Sequence, residues 1–476
     1  MKSGVIDVGT TNIKLAIYDD ALNKVQFEKQ RNQLLPSSSG FKEQDGKQIL
    51  QIVKHYMSLL KQNEVRKVGF TFNRSSLVAW DKEGNPLTNV MTWMDRRGYD
   101  VANHYSAYLK LLSHFPVVSS ILQPQTSAVR MKWFLSNDLR LGERIGKGDA
   151  FIGTLDSFVI YNLTRRYVSD YTNVALTGLV HPATLKFIGT TYSLLKLPET
   201  IHPEPIDNIG DIGTYESVDI NASIADQQAA CVGEGIVGSI GEYKMTHGTG
   251  SFVDVSVEKL PRSFGRGILP LILFKSGKDV FYGVEGFLPT SGSLLDWIVE
   301  SGLFSSHQEL DELSLQSKRP GLVFSPWLVG SNIPYFPNDK GTLLGIDTET
   351  SRADIARAVY EGISVSLWLI LQKISTISNS YPSVVKCDGG LAKSNAFLKT
   401  LSSVLKLPTT RSADLDATCR GVAFLLKMYN GGAKLEEAKE LSKSELRIEP
   451  DETFNESKRK RIADVLIKHG TAEFLK

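Results

Sequence analysis

The chain is predicted to be an α/β protein of two lobes, and three observations lead there. Its 476 residues exceed what one hydrophobic core usually organises. Two β-rich hairpins with glycine- and threonine-containing turns stand about half a chain apart. Between and after them, amphipathic helices alternate with short β-branched strands.

The first hairpin is GVIDVGTTNIKLAIYD, two β-rich arms around Gly9-Thr10-Thr11. The second is EYKMTHGTGSFVDVSV, with the same plan around Gly248-Thr249-Gly250. Two such hairpins suggest lobes built on related plans, each presenting its turn to a shared cleft, with boundaries at 1–238 and 239–476. In QILQIVKHYMSLLKQ, Ile49, Val53, Tyr56, Met57 and Leu60 line one helical face, and the strand KVGFTF follows. SVVKCDGG reads as a strand stopped by Gly389-Gly390, after which Ser394 caps the helix NAFLKTLSSVL. TCRGVAFLLKMYNGG reads as a helix closed by Gly431 or Gly432.

Composition narrows the class. Lysine and arginine number 54 against 52 acidic residues, a net charge of +2, so nothing calls for nucleic acid. The dense basic run in ESKRKRIADVLIKHG precedes Ile462, Val465 and Leu466 at helical spacing and reads as a solvated helix face rather than a lipid or acidic-partner site. The longest apolar run, ILPLILF, is too short to span a bilayer, and MKSGVIDVGTT enters a strand-like run at once, so neither a signal peptide nor membrane insertion is expected. Cys231, Cys387 and Cys419 lack the spacing of a metal knuckle or redox motif, which fits a cytoplasmic protein.

The first turn carries chemistry. Glycine lets backbone N–H groups approach closely, and the Thr10 and Thr11 hydroxyls add donors, a surface suited to phosphate oxygens. Asp7 beside it would repel phosphate unless Mg²⁺ lay between them, and Lys14 could add positive charge. A plain turn is the alternative. In CDGG, two glycines after a strand allow a base or ribose to approach the backbone, or simply make an Asp-Gly turn. In NASIADQQAACVGEG, Asp226 lies among small residues, where a carboxylate is costly to desolvate unless something charged or reactive answers it.

These pieces, in this order, resemble the FGGY family of carbohydrate kinases over most of the chain. The most specific element is GTLLGIDTETSRADIARAVYEG, beginning at Gly341, which looks like the C-terminal signature; GSNIPYFPNDKG before it resembles the family's Pro- and acid-containing loop. The resemblance implies an actin-like ATPase (ribonuclease H-like) fold with a central cleft, ATP and Mg²⁺ as cofactors, and phosphoryl transfer to a polyol or sugar hydroxyl. ADQQAA is similar to the catalytic segment in its Asp-Gln-Gln form, seen in glycerol kinases. Asp226 then falls on the general-base position and Gln227 on a polyol contact; a helix cap is the bland alternative for Asp226.

The same resemblance assigns Arg74, Trp93 and Phe252 to the polyol site. Ser75 stands where the family has Glu, Gln125 where it has Tyr, and Arg130 where its first signature has Lys. It assigns Thr10, Thr11, Thr249, Gly292 and Gly390 to ATP, with Asn12 and Lys14 as conservative departures, Asp296 in place of Gln and Ser394 in place of Asn, while Asp7 stays the metal candidate from its place beside the first turn. Phosphorylation of glycerol to glycerol 3-phosphate is the expected activity. Another small polyol or ketose, a weakly catalytic sugar-binding member, and a filament-forming or chaperone ATPase are the alternatives. A homodimer or homotetramer is left open.

Overall fold

The computed structural model describes residues 2–469 apart from 38–39, 106–121, 262–263, 318–320, 337–338, 413, 443 and 452–453. Pro337 and Asn338 of the loop GSNIPYFPNDKG lie outside the described residues. The chain forms two compact units. The first is Met1–Gly233 with Leu271–Phe281 and Thr418–Ala438; the second is Glu234–Pro270, Tyr282–Ala417 and Lys439–Lys476. Where one boundary after residue 238 was expected, the chain passes back into the first unit twice.

In the first unit a six-stranded sheet runs, edge to edge, Ile209–Tyr215, Val218–Ala225, Lys67–Phe72, Ser3–Val8, Asn12–Tyr18 and Lys24–Arg31. Ser3–Val8 is antiparallel to its hairpin partner and parallel to Lys67–Phe72, which is parallel in turn to Val218–Ala225. The helix Gly46–Gln62 starts where the Asp45 carboxylate accepts from Lys47 N at 2.8 Å. It buries Ile49, Val53, Tyr56, Met57 and Leu60, the face read from the sequence, in a core with Ile6, Val8, Val68 and Phe70. Gly69 is glycine for a packing reason: a Cβ there would lie 2.4 Å from Val422 Cγ1, on the helix Ala417–Tyr429.

The second unit repeats the plan. Tyr243–His247 and Ser251–Val257 form an antiparallel hairpin, Val385–Asp388 lies parallel to its first strand, and Thr409–Ser412 lies parallel to that. They sit in a seven-stranded sheet covered by the helix Arg352–Ser378, whose Val359, Ile363, Leu367 and Ile370 pack with Met245, Val253 and Val255. Sheets of mixed direction with helices packed on them make this the α/β architecture that the hairpins and helices imply.

Local signals are realised as chemistry dictates. Ser394 caps Asn395–Leu405, its hydroxyl accepting from Phe397 N at 3.0 Å. Of the two glycines after Tyr429, Gly431 takes the left-handed conformation, with φ 71°. The basic run forms the helix Glu456–His469, burying Ile462 and Leu466 while Lys460 pairs with Glu456 at 2.7 Å and Lys458 with Glu361. Among the described residues no helix is long and apolar enough to cross a membrane.

Candidate active site

The first turn links two register-paired strands, with Asp7 directly opposite Lys14. Their side chains meet, Lys14 Nζ to Asp7 Oδ2 at 3.0 Å, and Asp7 is only 4% exposed. Gly9 is required here: its N–H donates to Asn12 O at 3.0 Å, and a Cβ would come within 2.9 Å of that oxygen. The turn's carbonyls are taken up on the protein side. Asn32 Nδ2 donates to Gly9 O at 3.0 Å, Gln44 Nε2 to Thr10 O at 2.6 Å, and Asn32 N to Thr11 O at 2.8 Å. Trp93 Nε1 donates to Thr10 Oγ1 at 2.9 Å, so the threonine acts as acceptor there and retains its own hydrogen to give. With its acceptors engaged, the turn offers a ligand mainly donors, which suits an anion. The Thr11 side chain is exposed and that of Asn12 half-buried.

The second hairpin reverses the charges: Lys244 on its first strand pairs with Asp254 on its second at 2.9 Å, both fully buried. Thr246, two residues before its turn, stands where Asp7 stands in the first. Only the first hairpin therefore places a carboxylate beside its turn.

Arg74 and Asp226 follow the ends of the neighbouring parallel strands Lys67–Phe72 and Val218–Ala225, paired at Phe72 and Ala225. Chain direction alone therefore brings them together at the carboxyl edge of the sheet, where open α/β sheets bind ligands. Arg74 Nε lies 3.6 Å from Asp226 Oδ1, with the side chains 11% and 26% exposed. Asp226 is the first residue of the helix Asp226–Gly233 and accepts from Gln227 N, its immediate neighbour, at 2.7 Å, while its side chain stays 26% exposed. Gln227 is buried; Gln228, which the resemblance left without a role, is buried with both amide atoms unbonded among the described residues.

The approach to Asp226 rests on a network that motif reading missed. Asp170 accepts from Ser223 Oγ at 2.8 Å, Asn173 Nδ2 at 2.8 Å and the Thr172 hydroxyl, and Thr172 Oγ1 accepts from Ala225 N at 2.9 Å. The local signal was SDYTNV, an acid capping a turn of Thr and Asn; that its cap faces Ala225 depends on folding. Gln125 is not drawn to this cluster: its amide is exposed and donates to Tyr99 Oη at 2.6 Å. Ser75 adopts φ 61°, and its carbonyl accepts from Arg130 Nη2.

In the second unit, the turn and the helix Gly292–Glu300 are clamped together. Ser291 N and Ser293 N both donate to Thr249 O at 3.1 Å, and Gly292 N donates to Gly248 O at 3.0 Å. A Cβ on Gly292 would lie 2.3 Å from Gly248 O, so the close approach of the helix start to the Gly248-Thr249 turn depends on that glycine. Behind the turn, His247 Nδ1 and Ser251 Oγ are 2.9 Å apart, and Ser251 Oγ donates to Ser291 Oγ at 2.8 Å. Burial, with the charge of Lys244, holds the His247 pKa down to about 3, so the imidazole is neutral. Gly389, with φ 89°, is the glycine its loop requires: a Cβ would lie 2.6 Å from His247 O. Gly390 faces open space.

Phe252 stacks on Phe287 with ring centroids 4.5 Å apart. Asp296 is exposed, 3.2 Å from His307 Nε2. The Ser394 hydroxyl, besides capping its helix, donates to Asp311 Oδ1 at 2.6 Å, a partner sequence reading did not supply. The structure thus joins Asp7 with Lys14, Thr10 with Trp93, Arg74 with Asp226, and the Gly248-Thr249 turn with Gly292. Gln125, Asp296 and Ser394 are each held by other neighbours.

Known proteins share both sequence and architecture. Residues 3–233 match the N-terminal domain of the FGGY family of carbohydrate kinases and residues 243–428 its C-terminal domain. Glycerol kinase 1 of Saccharolobus solfataricus is 29% identical, with 96% of this chain and 93% of that protein covered. A protein of Archaeoglobus fulgidus described as an uncharacterized sugar kinase is 28% identical over 88% of this chain and 90% of its own. Among solved structures, Plasmodium falciparum glycerol kinase with ADP superposes with a TM-score of 0.87 at 23% identity, covering 99% of both chains. Gluconate kinase from Lactobacillus acidophilus does so at 0.84 and 19%, covering 100% of both. With both domains matched across most of its length, this chain belongs to the FGGY family of carbohydrate kinases.

Proposed function

We propose that the chain transfers the γ-phosphoryl group of ATP to a hydroxyl of glycerol, giving glycerol 3-phosphate and ADP, with Asp226 as general base. The observation that carries the reading is the pair Arg74–Asp226 at the carboxyl edge of the first sheet, a carboxylate oriented by a guanidinium yet still open to a ligand. Asp226 accepts the hydroxyl proton as the oxygen bonds to the γ-phosphorus; the bond to the bridging oxygen breaks, and its electron pair leaves with ADP. Arg74, Trp93, Gln227 and Phe252 are assigned to the acceptor. Thr10, Thr11, Asn12 and Lys14 in the first unit, and Thr249, Gly292, Asp296, Gly390 and Ser394 in the second, are assigned to the nucleotide.

Asp7 is the residue that would hold Mg²⁺. Its oxygens lie 3.7 and 3.9 Å from the Cβ position that Gly9 leaves empty, and magnesium commonly takes one or two carboxylates along with phosphate and water. When bound, the ion supplies neutralisation of phosphate charge. ATP as donor makes the cytoplasm the expected location.

A larger polyol or a ketose is the second reading, favoured by the geometry at two positions. Ser75 brings a short neutral side chain where its relatives' motif has Glu, and Gln125 is turned to Tyr99. A filament-forming or chaperone ATPase would have no use for the Arg74–Asp226 pair. The test is a panel of glycerol, erythritol, ketopentoses and aldonates with ATP, ranked by kcat/KM. Glycerol leading supports the first reading, a ketose leading supports the second, and no turnover with any acceptor contradicts both.

A further inference from the structure

Arg130, on the helix Ser127–Asn137, is 1% exposed, and its guanidinium bonds to two neutral carbonyls. Nη1 donates to Thr92 O at 2.9 Å, Nη2 donates to Ser75 O, and Nε has no hydrogen-bond partner among the described residues. Among the described residues no carboxylate hydrogen-bonds this guanidinium, and the one nearby counter-charge, Asp95, bonds to Arg97 instead, so its burial loses hydration for little return and is a poor device for stability alone.

What the two carbonyls share is their place in the chain. Ser75 directly follows Arg74, which lies 3.6 Å from Asp226. Thr92 directly precedes Trp93, which donates to Thr10 Oγ1. One planar fork therefore fixes the spacing between the two turns that carry the acceptor candidates. Both ends are otherwise constrained. Ser75 holds φ 61°, an uncommon conformation for a residue other than glycine, and Thr92 is tied to Lys42 O through N at 2.9 Å and Oγ1 at 2.8 Å. The stem is seated by Gly98, where a Cβ would lie 3.1 Å from Arg130 Cγ and 2.0 Å from Pro124 O.

We infer that Arg130 is the positioning residue of the acceptor site, setting the distance between the Arg74–Ser75 and Thr92–Trp93 turns and through it the fit of the acceptor. This rests on reading Arg74 and Trp93 as acceptor-binding residues. The family's first signature has Lys here, but a single ammonium on a flexible stem lacks the rigid fork that spans both carbonyls in this chain, so lysine would not hold this particular spacing.

The test compares Arg130→Lys, which keeps the charge, and Arg130→Met with wild type. It reads KM for acceptor and for ATP separately, and amide hydrogen exchange over residues 73–76 and 92–97. The expected result for Arg130→Lys is a fall of roughly 10–100-fold in acceptor kcat/KM, with KM for ATP nearly unchanged, as a misplacement of about 1 Å produces. Exchange should quicken in those two segments and not elsewhere. An unchanged acceptor KM, or equal losses for acceptor and ATP with faster exchange throughout, overturns the inference. If wild type turns over no acceptor, the kinase reading fails on its own. The exchange pattern still decides on the fork: acceleration confined to the two segments supports it, and its absence overturns it.

Discussion

Asp226 is both the first residue of its helix and the partner of Arg74, so replacing its carboxylate tests a proton acceptor with little change of shape. Asp226→Asn keeps an oxygen that can accept from Gln227 N, and kcat should fall by roughly 10²–10⁴ while acceptor affinity changes much less. Steady-state kinetics checks it, and near-wild-type turnover would remove Asp226 from the mechanism. At Ser75 the contact with Arg130 is made by the backbone, so the side chain can be changed without cutting it. A glutamate there supplies a charged acceptor worth about 1.5–3 kcal/mol when well bonded. Ser75→Glu should lower KM for glycerol and penalise longer polyols. The measurement is kcat/KM for glycerol, erythritol and a ketopentose on both proteins; unchanged ratios would show that position 75 does not face the acceptor.

At the scale of elements, the joint between the Gly248-Thr249-Gly250 turn and the helix Gly292–Glu300 sets two effects against each other. Helix propensity favours Gly292→Ala by about 1 kcal/mol. The added Cβ, however, meets Gly248 O at 2.3 Å, a backbone atom that cannot step aside, and overpacking of this kind costs about 1–3 kcal/mol. The clash should win: a lower midpoint in thermal unfolding and a raised KM for ATP are expected, and a stabilised variant with unchanged KM would contradict the clamp. Such elements were largely legible in the sequence, because their signals are local. The apolar spacing from Ile49 to Leu60, the cap at Ser394 and the glycines at 431 and 432 each act within a few residues. Illegible were the bonds that shape the first turn. Gln44 reaches Thr10 across 34 positions and Asn32 reaches Gly9 across 23, and no periodicity announces an amide that folding will aim at a carbonyl. The same holds for Asp170 and Thr172, whose link to Ala225 spans 53 positions.

For the whole molecule, stability should depend on a buried pair of acids in the first unit. Burial and the nearby charge of Asp170 push Asp156 up to about 7, and burial also raises Asp170. A raised folded pKa means that the native state holds a proton the unfolded chain gives up near pH 4. Its stabilising contribution is full below that pH and is lost as pH rises through about 7. The thermal midpoint should fall across that window, and Asp156→Asn should flatten the fall; an unchanged slope in the variant would assign the dependence to other groups. The proposed function requires that ATP be spent only when an acceptor is present. The most direct measurement is ADP release from ATP and Mg²⁺ by the purified protein with and without glycerol, with the phosphorylated product identified by ³¹P NMR. Glycerol-dependent ADP release matched by an equal amount of glycerol 3-phosphate is the predicted result; ADP release that is the same without any acceptor would contradict it.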